Sequence, residues 1–173
     1  MGNALKHFIT VTRHRHKVFV HCVKVGIPLQ GLLHDLSKYS LTEFVPGAKY
    51  YRGNRSPNEA EREDIGYSKA WMHHKGRNKH HFEYWTDYSP VTKQLEPVEM
   101  PLNFVKEMFC DRLAAGKIYK GKEYNDKCPL EYFFKGKGRR RIHPKTSDLL
   151  ESWLEMLANE GEEKTFEYIR RLK

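Results

Sequence analysis

Histidine and aspartate side chains occur in this sequence in groups that could bind a metal ion. The chain contains ten histidines. The groups that stand out are His34-Asp35, His73-His74, His80-His81 and the lone Asp111. Imidazole and carboxylate groups without thiolates suit Fe, Mn, Zn, Co or Ni, and Mg is a further candidate. Because about six such ligands are enough for two adjacent ions, the sequence predicts a site for one or two divalent metal ions.

Helical spacing predicts which histidine of the first helix faces the interior. One stripe at three- and four-residue steps is mainly apolar, so we expect it to pack against the core. It consists of Leu5, Ile9, Thr12, His16, Phe19 and Val23. A second stripe is wholly polar and consists of His7, Thr10, His14, Lys17, His21 and Lys24. We therefore predict that His16 is a metal ligand and that His21 is not.

The same reasoning selects ligands on later helices. Asp111 shares a stripe with apolar residues, where an unpaired carboxylate would cost on the order of several kcal/mol and a metal ion would satisfy it. His74 shares a stripe with Ala70 and Trp71, which makes it the predicted inward member of its pair. Helical phase is lost after Gly76 and does not choose between the next two histidines. The predicted ligands are His16, His34, Asp35, His74, His80 and Asp111.

A lysine and several polar residues are candidates for contact with a substrate. His34 and Lys38 lie one turn apart on the predicted second helix, and Asp35 beside them could bridge two ions. A lysine directed at a metal pocket suits an anionic substrate, which makes Lys38 the candidate catalytic residue; an ordinary helix-end lysine is the alternative. The candidates for binding substrate are His73, His81, Arg77, Asn78 and His143. For the residues between the histidine pairs, a solvated loop is the alternative interpretation.

The elements predicted to position these residues are all helices. No alternating pattern typical of a strand extends beyond a few residues. Helices are predicted over residues 3–25, 29–38, 41–51, 57–74, 101–115, 147–159 and 162–172. Pro46-Gly47 predicts a kink in the third of these helices. The fold class is therefore all-α, in one domain over residues 1–173, with a metal core over about 3–118 and a basic loop and helices over about 127–172.

The composition predicts a soluble cytoplasmic protein with an anionic partner. The net charge of +9 and the isoelectric point near 9.4 favour a phosphorylated small molecule, a nucleotide or nucleic acid. The basic segment 135–141 is the candidate contact for nucleic acid, and a mobile solvated loop is the alternative. No apolar run approaches the roughly 18 residues of a membrane helix, which predicts no membrane contact. Three separated cysteines predict reduced thiols, and the oligomeric state is left open.

The order of the metal-binding candidates resembles the HD superfamily of helical metal-dependent phosphohydrolases. That order is His, then His-Asp, then two further His, then Asp, and His34-Asp35-x-x-Lys38 is similar to the H-D-x-x-K variant of its dinuclear members. Several motifs resemble more narrowly a bacterial and phage family of that superfamily with no established activity. They are Arg15-His16-Lys17, His34 to Lys38 with Glu43-Phe44, Ala70 to His74, Asn78 to His81 with Tyr84-Trp85, Glu107 to Asp111 and, more weakly, His143-Pro144-x-Thr146.

The resemblance implies a compact HD-domain-like helical bundle with a metal site in its core. It carries metal roles onto His16, His34, Asp35, Asp111 and members of the two histidine pairs, and it implies a bacterial or phage-infected cell. We expect metal-dependent hydrolysis of a phosphate ester, with nucleotides or cyclic nucleotides as substrates by analogy. One alternative is a di-iron oxygenase, as in a branch of the superfamily. Another is a non-catalytic nucleic-acid or phage-associated binding protein that uses residues 135–141.

Overall fold

Nine α-helices form most of residues 2–173, which are the residues that this computed structural model describes. The predicted all-α class is confirmed, and the predicted domain start at residue 1 lies outside the described part. The helices are α1 (Asn3–Lys24), α2 (Pro28–Leu33), α3 (Leu41–Lys49), α4 (Pro57–Ile65), α5 (Lys69–Lys75), α6 (Leu102–Lys120), α7 (Cys128–Gly136), α8 (Pro144–Glu160) and α9 (Glu162–Arg171). Strands β1 (Thr86–Tyr88) and β2 (Leu95–Pro97) form a short antiparallel ribbon, with Thr86 opposite Pro97.

The two longest helices, α1 and α6, pack against each other, and α8 and α9 cover them. Trp153 and Phe166 reach the centre of this core, where both contact Phe109 of α6 edge to face at centroid distances of 6.0 and 6.3 Å. Burying such a side chain fully contributes about 1.5–3 kcal/mol. The apolar core therefore fixes α6 relative to α1, and these helices carry ligand candidates. No helix within residues 2–173 has the length and apolar character needed to cross a membrane.

The face of α1 that packs inward is not the predicted one. Leu5 and Val23 of the predicted apolar stripe are 51% and 44% exposed, and His16 is exposed as well. The buried residues of α1 are His7, Val11, His14, Val18, His21 and Cys22. The prediction that His16 points inward is therefore wrong. Histidines and valines alternate along the inward face. His14 and His21 have polar neighbours on α6, whereas His7 packs against the rings of Phe44 and Tyr51.

The predicted second helix is interrupted at the His-Asp dipeptide. Helix α2 ends at Leu33, and Asp35 has a φ of 55°, in the left-handed region that aspartate tolerates better than most residues. A 3-10 turn over Leu36–Tyr39 follows. The Arg15 side chain holds the preceding bend by donating hydrogen bonds to the carbonyls of His34 and Leu32, at 2.7 and 2.9 Å. The two residues of the dipeptide thus leave the helix axis and face the interior.

Two other predicted boundaries differ for local reasons. The predicted helix over residues 57–74 is split, because Gly66 adopts a φ of 81° and ends α4. Ser68 then caps α5 by accepting a hydrogen bond from the Trp71 amide. Helix α6 continues through Gly116, where an added Cβ would lie 3.1 Å from the Tyr124 ring. A glycine thus ends one helix, whereas in the other a glycine makes room for a neighbouring side chain.

Candidate metal centre

Asp35 lies at the centre of a buried cluster of imidazoles and carboxylates. Its Oδ2 is 3.2 Å from the His34 Nε2, and its Oδ1 is 3.2 Å from the His74 Nε2. The residue is 1% exposed. The left-handed backbone at Asp35 lets one carboxylate contact two different sets of ligand candidates. One carboxylate could therefore take part in both sets.

The first set of ligand candidates comes from α1, the His-Asp bend and α6. It consists of His14, His34, Asp35 and Asp111, which offer ligand atoms that lie within 4.8 Å of one another. The Asp111 Oδ1 is 2.9 Å from the His14 Nε2 and 3.7 Å from the His34 Nε2. Two imidazole nitrogens and two carboxylates thus converge at one point, which we call the first donor set.

The second set shares Asp35 and otherwise comes from α5 and the loop after it. It consists of Asp35, His74, His80 and His81, again with ligand atoms within 4.8 Å of one another. The His80 Nε2 is 3.5 Å from the Asp35 Oδ1. This second donor set has three imidazoles and one carboxylate. Both members of the second histidine pair therefore belong to it, although the sequence assigned only His80 to a metal ion.

Carboxylates hold the far side of three of these imidazole rings. Glu107 of α6 accepts a hydrogen bond from the Nδ1 of His34 at 2.8 Å, and the same oxygen is 3.1 Å from the Nδ1 of His80. Glu43 of α3 accepts a hydrogen bond from the Nδ1 of His74 at 2.7 Å. A carboxylate at Nδ1 fixes the ring and its tautomer, so that Nε2 is the free ligand atom.

The polar atoms at the centre fit metal ions because hydrogen bonds do not satisfy them. Within residues 2–173, the Nε2 atoms of five imidazoles and both oxygens of Asp35 are buried without a hydrogen-bond partner. The five imidazoles are those of His14, His34, His74, His80 and His81. Burying one such polar group unsatisfied costs about 1–3 kcal/mol. A cation at each donor set would satisfy these atoms together, so the residues present fit divalent metal ions.

Neighbouring ionisable groups in the cluster shift one another's pKa strongly. Burial lowers the pKa of His34, but the adjacent Asp35 carboxylate outweighs it and raises that pKa to about 10. Burial raises the pKa of Glu107, but hydrogen bonds from His34 and His80 lower it to about 2. A bound cation requires the imidazoles in neutral form and takes over the role of their protons. Metal binding at this centre should therefore release protons.

A cavity of about 670 Å³ opens onto the cluster. Its lining includes His14, His74, His81, Asp111 and Lys38. The Lys38 ammonium forms an ion pair with Asp35, with its Nζ 2.6 Å from Oδ2, and the Lys38 side chain is 30% exposed. Lys38 therefore lies between the cluster and the open cavity, and its catalytic role stays a prediction.

The cluster includes five of the six predicted ligands. They are His34, Asp35, His74, His80 and Asp111. The sixth, His16, lies on the exposed face of α1, and His14 takes the place predicted for it. His21 is buried elsewhere, where its Nδ1 is 3.3 Å from the Cys110 carbonyl and Lys117 approaches its Nε2 to 3.1 Å.

Most of the predicted substrate contacts lie away from the cavity. His81 lines it, but the other four candidates do not. Asn78 donates to the Ser37 hydroxyl and the His74 carbonyl at 2.9 and 2.8 Å, so its amide braces the cluster from behind. Arg77 is exposed and donates to the His73 carbonyl at 3.3 Å. His73 bonds to Glu43 at 2.7 Å, and His143 precedes α8 as its capping residue.

The basic segment 135–141 is not a uniform solvated loop. Its first two residues, Lys135 and Gly136, belong to α7, and Arg139 and Arg141 are exposed. Arg140, by contrast, turns inward and lines the cavity. Its guanidinium donates to the carbonyls of Phe133 and Tyr132 at 2.9 and 3.2 Å. The segment therefore places one arginine toward the cluster and two toward the solvent.

Sequence reasoning missed His14, Glu43 and Glu107. The available signal for His14 was the alternation of His7, Val11, His14, Val18 and His21 at four- and three-residue steps, which is the spacing of one buried helical face. Glu43 and Glu107 occur in motifs noted above but received no role there. Both are buried, at 4% and 5% exposed, and buried glutamates are rare unless they are paired.

The fold and the site together define an all-helical protein with a buried His/Asp cluster that could hold metal ions. Residues 3–156 match the family of unknown function DUF5662, so the chain belongs to that family. No curated protein and no solved structure matches the chain. The matched region includes every member of both donor sets and ends within α8.

Proposed function

We propose that this protein is a metal-dependent phosphohydrolase of the HD superfamily with two adjacent divalent cations. The observation that carries the proposal is the placement of Asp35 between two donor sets, one oxygen toward each. His14, His34 and Asp111 would complete the first site, and His74, His80 and His81 the second. Imidazole-rich sites of this kind suit Fe, Mn, Zn, Co or Ni better than Mg, which prefers oxygen ligands.

The chain's own residues suit a phosphoryl substrate at this centre. When bound, divalent cations supply Lewis acidity that activates water and neutralises the charge on a phosphoryl oxygen. Lys38 is partly exposed to the cavity, so its ammonium can donate to an oxygen of the same phosphate. Glu107 and Glu43 keep the imidazoles oriented throughout, because each accepts from ring Nδ1 atoms. The protein thus contributes positioning and a positive charge at the phosphate.

The cavity favours a phosphorylated small molecule or nucleotide. Its volume of about 670 Å³ is in the range of sites for small molecules. Six basic side chains line it, and they outnumber the acidic ones. They are Lys38, Arg55, Arg62, Arg112, Lys120 and Arg140. This excess of positive charge favours phosphate over the uncharged substrates that an oxygenase could accept.

The test combines metal content with hydrolysis. Purified protein is analysed for bound metal and assayed with Mn, Fe, Co, Zn or Mg against a panel of phosphomonoesters, nucleotides and cyclic nucleotides. His14→Ala and His16→Ala form a matched pair, since both residues lie on α1 but only His14 belongs to a donor set. We expect His14→Ala to lose metal and activity and His16→Ala to keep both. Inactivity of the metal-loaded wild type on the whole panel contradicts the proposal.

A di-iron oxygenase is the second candidate, because the same five imidazoles and two carboxylates suit two iron ions. The two functions differ in their need for oxygen. Hydrolysis by iron-loaded protein should be equally fast with and without air. Oxygen consumption by iron-loaded protein, together with a mixed-valent resonance signal and no hydrolysis, would favour the oxygenase.

A further inference from the structure

Four arginines line the cavity onto which the donor sets open, and two of them, Arg112 and Arg140, come from α6 and from the loop after α7. Arg112 follows Asp111 directly on α6, and Arg140 reaches the cavity from the loop after α7. Both side chains contribute to the lining of this one cavity, so the structure places two positive charges along it. Two like charges brought together in a cavity need an anion between them or a structural reason to be there.

Carboxylates of the protein do not pair with either arginine. Within residues 2–173, the arginines with a carboxylate oxygen within 4.0 Å are Arg55 and Arg171. Glu83 also lines the cavity, but burial raises its pKa and its Oε2 has no hydrogen-bond partner in the described chain. Among the described residues, its carboxylate lies more than 4.0 Å from either guanidinium, and the charges of both arginines act to lower its pKa.

Several N–H groups of these arginines have no hydrogen-bond partner among the described residues. A guanidinium has five N–H donors. Arg112 makes one long contact, 4.0 Å to the Met108 sulfur, and its Nε is buried without a partner among the described residues. Arg140 donates to two carbonyls at the end of α7. These two bonds fix the position of Arg140 and leave its other donors available.

Gly136 makes room for the Arg140 side chain. A Cβ added at Gly136 would lie 2.3 Å from the Cζ and Nη2 atoms of Arg140 and 2.7 Å from its Nε. Any larger residue would therefore displace the guanidinium. The φ of Gly136 is not positive, so the glycine is needed here for space and not for backbone conformation.

We propose that Arg112 and Arg140 form a second oxyanion subsite, and that the substrate carries a second phosphate or a carboxylate in addition to the phosphate at the metal centre. The first phosphate rests on the proposed function, whereas the second group is inferred from the two arginines alone. Each guanidinium can bind two oxygens of such a group through parallel N–H bonds. The substrate class is a phosphoester with an anionic group at each end.

The subsite can be tested by binding, without hydrolysis. The probes are alkane-α,ω-bisphosphonates of increasing chain length, whose P–C bonds are not hydrolysed, with alkylphosphonates and ω-phosphonoalkanoates of matching length. Affinities for the metal-loaded protein are measured by titration calorimetry. At one chain length, the bisphosphonate should bind at least about tenfold more tightly than the alkylphosphonate. The phosphonoalkanoate then shows whether a carboxylate serves as well as a second phosphonate.

Variants with matched controls assign the effect to the two arginines. Arg112→Gln and Arg140→Gln should each reduce the tenfold ratio to below about threefold. Gly136→Ala should reduce it as well without removing a charge, because the new methyl displaces Arg140. Arg139→Gln and Arg141→Gln remove the same charge from exposed positions and should leave the ratio unchanged. Should Arg112→Gln fail to fold, Arg140→Gln and Gly136→Ala decide the question.

Two results overturn the subsite. One is equal affinity for bisphosphonate and alkylphosphonate at every chain length. The other is a tenfold preference for the bisphosphonate that persists in both Arg140→Gln and Gly136→Ala. The outcome separates from that of the proposed function. An arginine-dependent ratio in a protein that hydrolyses no phosphoester keeps the subsite and removes the phosphohydrolase. If the protein hydrolyses phosphoesters but binds bisphosphonate and alkylphosphonate equally well, the phosphohydrolase is kept and the subsite is rejected.

Discussion

Replacing Glu107 by glutamine should weaken both predicted metal sites at once. One Glu107 oxygen accepts from the Nδ1 of His34 at 2.8 Å and lies 3.1 Å from the Nδ1 of His80. Those rings belong to different donor sets. Loss of a carboxylate behind a ligating imidazole typically costs about 10- to 100-fold in metal affinity, on the order of 1.4–2.7 kcal/mol. In Glu107→Gln this loss should occur at each ion.

Glu43→Gln provides the contrasting case. Of the two imidazoles that Glu43 contacts, His74 belongs to the second donor set and His73 to neither. We therefore expect a loss of about 10- to 100-fold for one ion only. Stepwise affinities are measured by competition with a chromophoric chelator, and the control is Glu155→Gln, which changes an exposed glutamate of α8 that does not line the cavity. The assignment of rings to sites would be refuted if Glu43→Gln reduced the affinity for both ions equally, or if Glu107→Gln reduced the affinity for only one ion.

Three further measurements test other parts of the structure. Burial lowers the pKa of His21 from 6.5 to about 4. The contribution of neutral His21 to the free energy of unfolding is therefore complete above pH 6.5 and is lost as the pH falls toward 4. Over that range, chemical denaturation should show that the free energy of unfolding falls by about 3 kcal/mol more in wild type than in His21→Gln. An equal dependence of the free energy of unfolding on pH in both proteins contradicts this. Gly31→Ala would place a Cβ 2.5 Å from that of Cys22 and should lower the free energy of unfolding by about 1–3 kcal/mol. Gly2→Ala meets no atom within 4 Å and should have a smaller effect, limited to the loss of a glycine at the N-cap of α1. Removing metal with a chelator should lower the melting temperature of wild type but not of Asp35→Asn, since metal at 100 times its Kd stabilises by about 2.7 kcal/mol.

The helical class and the presence of five of the six ligand candidates in one cluster followed from the sequence because both depend on local patterns. The His-Asp dipeptide and the histidine pairs are adjacent in the chain, and glycine and proline mark most helix ends. The orientation of α1 did not follow. A helix face that carries histidines is classed as polar when only the helix is considered. It is buried here in part because Asp111, which lies 97 residues after His14 in the sequence, is the partner of His14. Amphipathic analysis has no information about such distant partners.

The same limit explains the cavity arginines and the second carboxylates. Glu43 and Glu107 contact rings that are 31 and 73 residues away in the chain, and no spacing rule connects such positions. Arg140 is the middle residue of a run of three arginines, and the sequence of the run does not show which of them turns inward. Only the path of the chain after α7 distinguishes it, because that path brings Arg140 back over Gly136.

Helix α9 lies outside the region that defines the family, yet it completes the interior. The family match ends at residue 156, whereas Phe166 and Ile169 of α9 are 3% and 0% exposed. Phe166 stacks beside His21 at a centroid distance of 5.4 Å. Removing the residues after the shared region would expose the apolar strip of α1 and α6 that α9 covers, and it would expose His21 to water. Relatives without an equivalent of α9 must therefore shield that strip by another segment or carry more hydrophilic residues there.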